Sequence, residues 1–105
     1  MSTRLEFIEF ICDQIADCGT IRYRKMFGEF MVYVNDKPIL LVCDNTVYVK
    51  MHAILQPLMH NSERGFPYKG SKEHYILDID DAEFSKQIID ILEPITPVPL
   101  KKKKS

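Results

Sequence analysis

Four segments dense in β-branched and aromatic residues follow one another almost without a gap, at 20–26, 29–34, 38–43 and 46–50. The breaks between them are Gly28, the run Asn35-Asp36-Lys37-Pro38, and Asp44-Asn45. A parallel neighbour would need a crossover of about a dozen residues, which none of these breaks supplies. Consecutive segments must therefore pair as antiparallel hairpins. The third segment, "PILLVCD", is apolar on both faces and suits an inner strand, with Pro38 at its first position, where no donor is needed.

Helical patterns bracket this meander. Residues 4–18 carry Leu5, Ile8, Ile11, Cys12 and Ile15 at helical spacing. Thr3 and Glu6 have the spacing of a capping box, and Gly19 stands where a C-terminal cap belongs. The opposite face carries Glu6, Glu9, Asp13 and Asp17, with Phe10 on the same polar side. Residues 51–60 predict a short helix that Pro57 must start or break. The stretch 61–73 predicts an exposed loop, and "HYILDI", 74–79, a fifth strand. Asp80 and Glu83 repeat the capping spacing ahead of a closing helix faced by Phe84, Ile88, Ile91 and Leu92.

Helices at both ends of a strand run predict an α+β fold of two layers: an antiparallel sheet of about five strands, with the N- and C-terminal helices packed on one face. One domain is expected over 1–93, followed by a disordered Pro/Lys-rich tail over 94–105. No apolar run reaches the roughly 18 residues that a membrane span requires. The opening MSTRLEFIEF lacks the pattern of a signal peptide, so a cytoplasmic location is expected.

Four of the 14 basic residues are Lys101 to Lys104; without them 10 basic side chains face 15 acidic ones. Such an acidic body repels phosphate backbones, which weighs against direct nucleic-acid binding. The residue pattern also argues against catalysis. There is no glycine-rich phosphate loop, and His52, His60 and His74 have no partner at chelating helical spacing. Cys12, Cys18 and Cys43 form no C-x-x-C pair. Cys43-Asp44 lacks a local activating base, and capping accounts for Asp80 in the cluster Asp78, Asp80, Asp81. No enzyme, cofactor or metal is expected.

"IRYRKMFGEFMVYVND", 21–36, mixes basic and aromatic residues. In a strand, Arg22 and Arg24 share one face and Tyr23 takes the other. The stretch reads first as strand–turn–strand, with Gly28 supplying the turn and Phe27 anchoring it. Candidate interaction residues are Arg22, Tyr23, Arg24, Phe27, Phe30, Tyr33, Tyr48 and Lys50, although core packing is the simpler role for each aromatic ring. The alternative is a nucleic-acid-binding domain using the 22–25 basic strand. A third reading, small-molecule binding near Tyr48, Lys50 and the 61–73 loop, requires a pocket beside those residues.

The segment "RKMFGEFMVYVNDKPILLVCDNTVYVK", 24–50, resembles the N-terminal domain of the TfoX/Sxy family of competence regulators. The resemblance rests on Met26-Phe27-Gly28, Tyr33, Asn35-Asp36-Lys37, Ile39 to Cys43, and Val47-Tyr48-Val49-Lys50, with Phe66-Pro67-Tyr68 and Tyr75 further on. It covers most of residues 5–93. Glu29-Phe30-Met31 stands where many members have a second glycine, and the further helical domain of two-domain members has no counterpart in these 105 residues. The resemblance implies an α+β domain, present here as a stand-alone copy. It also implies a non-catalytic, protein-binding regulator of DNA-uptake genes, whose partner is a transcription regulator of the cyclic-AMP-receptor class. A second copy of the chain is the other partner considered.

Overall fold

The computed structural model describes residues 3–26 and 29–98. Phe27 and Gly28 lie outside these, and with them the turn assigned to Gly28. The elements in chain order are α1 (Leu5–Gln14), β1 (Ile21–Met26), β2 (Glu29–Val34), β3 (Lys37–Cys43), β4 (Thr46–Lys50), α2 (Gln56–Met59), β5 (Arg64–Gly65), β6 (His74–Leu77) and α3 (Ala82–Leu92).

The described strands form one antiparallel sheet in the order β1-β2-β3-β4-β6-β5. The predicted meander is its first four strands. The two visible hairpins are closed by two-residue turns with both residues at positive φ: Asn35 (53°) with Asp36 (68°), and Asp44 (54°) with Asn45 (58°). That is the turn whose twist matches a hairpin, and Asn and Asp tolerate it without glycine. The sixth strand, β5, comes from the segment expected to be only loop, where Arg64 and Gly65 pair with Tyr75 and His74. Two residues give too little alternation for a sequence pattern to register.

One sheet face carries the core. Phe30, Val32 and Val34 of β2, Leu40 and Val42 of β3, Val47 and Val49 of β4, and Tyr75 and Leu77 of β6 are buried. They pack with Ile8, Ile11 and Ile15 from the first helical segment and Ile88, Ile89 and Leu92 of α3. The 3-10 turn Ala53–Leu55 and α2 add Leu55 and Met59, both fully buried, with Pro57 in the first turn of α2. A bulge between β2 and β3 shifts the partner of Tyr33 to Pro38, leaving Ile39 as the extra residue, and Ile39 is buried.

Several local expectations are corrected. The first helix ends at Gln14 and continues as a 3-10 turn, Ala16–Cys18. Leu5 is exposed rather than part of the apolar face. Thr3 does not cap α1. Its hydroxyl accepts from the Asn45 N–H at 3.2 Å, while Asn45 Oδ1 accepts from the Arg4 N–H at 3.0 Å. The β3–β4 turn thus ties down the start of α1, a partner no local spacing reveals. The cap of α3 is Asp81, whose Oδ1 accepts from the Phe84 N–H at 3.1 Å. The Asp80 N–H, which a capping box would give to Glu83, is instead donated to Asp78 Oδ1 at 3.2 Å. The buried stripe of α3 is correspondingly Ser85, Ile88, Ile89 and Leu92, with Phe84 and Ile91 at its margins. The fifth strand stops at Leu77.

Gly19 has φ 143° and ψ −156°, a region that L-residues with a Cβ avoid. It is not the αL cap expected there. A Cβ on Gly19 would stand 2.6 Å from Asn35 Oδ1. That oxygen accepts from the Thr20 N–H at 3.0 Å, and Asn35 Nδ2 donates to Glu93 Oε2 at 3.3 Å. Lys37 Nζ completes the cluster, 3.0 Å from Glu93 Oε2 and 2.9 Å from its carbonyl oxygen. The β2–β3 turn is therefore fastened both to the end of the first helical segment and to the 3-10 turn Glu93–Ile95 that follows α3.

Candidate interaction site

Cross-strand pairing sorts the predicted residues between the two faces. Tyr23 lies opposite Val32 and Lys25 opposite Phe30, so both belong to the helix-covered face. Arg22 opposite Tyr33, and Arg24 opposite Met31, belong to the other. The expected separation of Arg22 and Arg24 from Tyr23 is therefore present. Tyr23 is nonetheless 42 % exposed, because β1 is the outermost strand, and its ring edge packs on Phe30 at 5.9 Å. Phe30 itself belongs to the core.

Arg22, Tyr23, Arg24 and Lys25 are all exposed along β1. Arg22 stands 3.4 Å from Asp36 in a solvent-exposed ion pair, which salt screens and which adds little stability. The open face continues inward from this edge. Met31, Leu41 and Tyr48 are paired across β2, β3 and β4, and Ile76 follows on β6. All four are half-buried, as is Tyr33. Helices cover the opposite face, so these half-buried side chains make up the sheet face that no helix covers.

Tyr48 and Lys50 lie away from the basic edge, beside the loop of residues 66–73. Tyr48 packs edge-on against the His74 ring at 6.3 Å, and a Cβ on Gly65 would meet its ring at 3.4 Å. Burial pushes the Tyr48 phenol above its usual range, with the Cys43 and Asp44 charges adding to it. The phenol stays a neutral donor at physiological pH. His74 Nδ1 lies 2.8 Å from the Lys72 carbonyl oxygen, which can only accept, so this nitrogen carries the proton.

The three cysteines are free thiols, and each is pushed above the ordinary thiol range. Burial leads in every case, followed by Asp13 and Glu9 at Cys12, Asp90 at Cys18, and Glu29 and Asp44 at Cys43. Raised pKa values disfavour the thiolate that nucleophilic or metal chemistry needs. Among the described residues no group of three or more His, Cys, Asp or Glu is placed to hold a metal ion. No described helix is long and apolar enough to cross a membrane.

These features define a two-layer α+β domain with one sheet face open and a basic edge strand. The chain belongs to the family described as the TfoX N-terminal domain, whose model matches residues 13–88. It is also 28 % identical over 105 residues to an "uncharacterized 12.7 kDa protein in trpE 5'region" of Spirochaeta aurantia, covering 98 % of this chain and 91 % of that protein.

The sequence singles out the basic strand 22–25 and Tyr48 with Lys50. It sets these last two beside the 61–73 loop, which holds Tyr68 and Lys72, but does not bring His52 and His74 there, which the fold does around one cavity. The one signal was the basic and aromatic content of residues 66–74. The β4–β6 register that pairs Lys50 with His74 has no local signature.

Proposed function

We propose that this domain is a small non-catalytic regulatory module of the cytoplasm that binds a protein partner along β1. The observation that carries the reading is the exposed outer strand bearing Arg22, Tyr23, Arg24 and Lys25. An edge strand offers unpaired backbone N–H and C=O groups to an incoming strand. Its cations disfavour pairing with a second β1, since like charges would face each other. They favour a segment rich in carboxylates. Arg22, Arg24 and Tyr33 would meet that segment on the open face, and Tyr23 on the other. Membership of the TfoX N-terminal domain family supports a competence-related role. The partner we propose for that role is a transcription regulator.

The test is affinity capture from the host with the wild-type chain and the Arg22→Glu/Arg24→Glu variant, with and without cyclic AMP. A transcription regulator retained by the wild type and lost by the folded variant is the expected result. Equal recovery by both would refute the role of the edge. Retardation of DNA or RNA probes at low salt, with a salt slope that the variant lowers, would replace this reading by nucleic-acid binding. Light scattering covers self-association, and a concentration-independent monomer mass removes it.

A further inference from the structure

A second surface, centred on β3, β4 and β6 and reaching β2 beside the β1 edge, has the character of a small-molecule site and involves no protein partner. A groove of about 730 Å³ opens on the uncovered sheet face, within the usual range of about 300–1,000 Å³ for ligand pockets. Its floor is apolar, from Met31, Leu41 and the half-buried ring of Tyr48. The loop contributes Tyr68, and the segment after α3 contributes Ile95 and Pro97. Four basic or ionisable nitrogen side chains line it: Lys50, His52, Lys72 and His74.

Among the described residues the groove lining holds no carboxylate, which is unexpected in a chain whose acidic residues outnumber the basic ones outside its terminal lysine run. Two other surface cavities show the contrast. One, along α3, includes Asp81, Glu83 and Asp90; the other, beside β6, includes Glu63, Asp78 and Asp80. Among the described residues neither Lys50 nor Lys72 makes an ion pair, whereas Lys37 and Lys86 do. An unpaired lysine beside a concave apolar floor attracts an anion more strongly than one on an open surface, because the low-dielectric wall reduces screening.

We propose that this groove binds a small organic anion: a flat aromatic body bearing one carboxylate, sulfonate or phosphate. The body would lie over Leu41 and Tyr48, and the anionic group would meet Lys50 and Lys72. The chain's own Lys101 to Lys104 segment has the wrong charge to occupy the site. An isologous second copy would set the same lysines against themselves.

Fluorescence titration with the sulfonate dye ANS and its uncharged analogue N-phenylnaphthylamine tests the assignment. One ANS per chain is expected, bound at least about tenfold more tightly than the neutral dye. Lys50→Gln/Lys72→Gln should weaken ANS about tenfold while changing the neutral dye by less than about twofold. Lys69→Gln, beside the groove but outside its lining, should change neither. Amide shifts on ANS binding should centre on Leu41, Tyr48 and His74. Equal affinity for the two dyes, ANS binding unaffected by the double variant, or shifts centred on β1 would each overturn the proposal. Circular dichroism on each variant separates loss of binding from loss of fold. Because no partner protein is involved, failure here leaves the β1 reading standing, and the reverse holds as well.

Discussion

Replacing Gly19 by alanine tests how the β2–β3 turn is fastened to the helices. Two effects act together. The backbone at φ 143° and ψ −156° is a region that costs a Cβ-bearing residue about 1–3 kcal/mol. The new Cβ would also stand 2.6 Å from Asn35 Oδ1 and 2.8 Å from Nδ2, far inside contact distance. The Asn35 amide is the end of a side chain and can rotate away. Doing so breaks its bonds to the Thr20 N–H and to Glu93. Both bonds are solvent-exposed, so together they contribute about 1 kcal/mol. Alanine stiffens the unfolded chain and returns about 0.5 kcal/mol or slightly more. The net expectation for Gly19→Ala is a loss of about 2 kcal/mol. Urea unfolding followed by circular dichroism should show the midpoint fall by about 1–2 M. Asn35→Gly in the same background removes the overlap and keeps the positive φ accessible. The cost of Gly19→Ala should then drop by about 1 kcal/mol, a coupling expected only of groups in contact. A Gly19→Ala variant within about 0.5 kcal/mol of wild type, or one whose cost is the same with and without Asn35, would refute the reasoning.

Further outcomes follow from the same contacts. Asp81→Ala should cost about 1 kcal/mol in urea unfolding by removing the cap of α3, whereas Asp80→Ala should stay within about 0.5 kcal/mol. Lys37 first, and then Asn35, hold the Glu93 carboxyl below its usual range through hydrogen bonds. A carboxylate with a depressed folded pKa stabilises the fold above its unfolded value of about 4.3 and loses that contribution as pH falls through the lower, folded value. Thermal melts from about pH 6 down to about pH 3 should therefore show an acid-dependent decline that Lys37→Met reduces, and an unchanged decline would count against the pairing.

The local part of this architecture was legible in the residues because it depends on neighbours. Short breaks force antiparallel pairing, and Asn-Asp and Asp-Asn between apolar runs specify left-handed two-residue turns. Ile8, Ile11 and Ile15 announce a buried helical stripe by their spacing. The Thr3 contact is not legible locally because its partner is distant: the Asn45 N–H reaches the Thr3 hydroxyl from 42 positions away, whereas at α3 the shift from Asp80 to Asp81 is one of local register. β5 escaped detection because pairing with β6, rather than its own composition, makes it a strand.

The candidate surfaces divide along the same line. The basic residues of β1 were visible as a local run, and so was their alternation with Tyr23. That this strand lies at the sheet edge was decided by the strand order. For the groove, the sequence suggested only Tyr48 and Lys50 beside the 61–73 loop; its enclosure and a lining free of carboxylates among the described residues belong to the tertiary structure. The groove's floor comes from β2, β3 and β4, and its other sides from the loop between β5 and β6, His74 of β6, and the turn after α3. Periodicity assigns side chains to faces, and composition sets net charge. Only the packing of segments far apart in the chain determines which face stays open and which charges meet there.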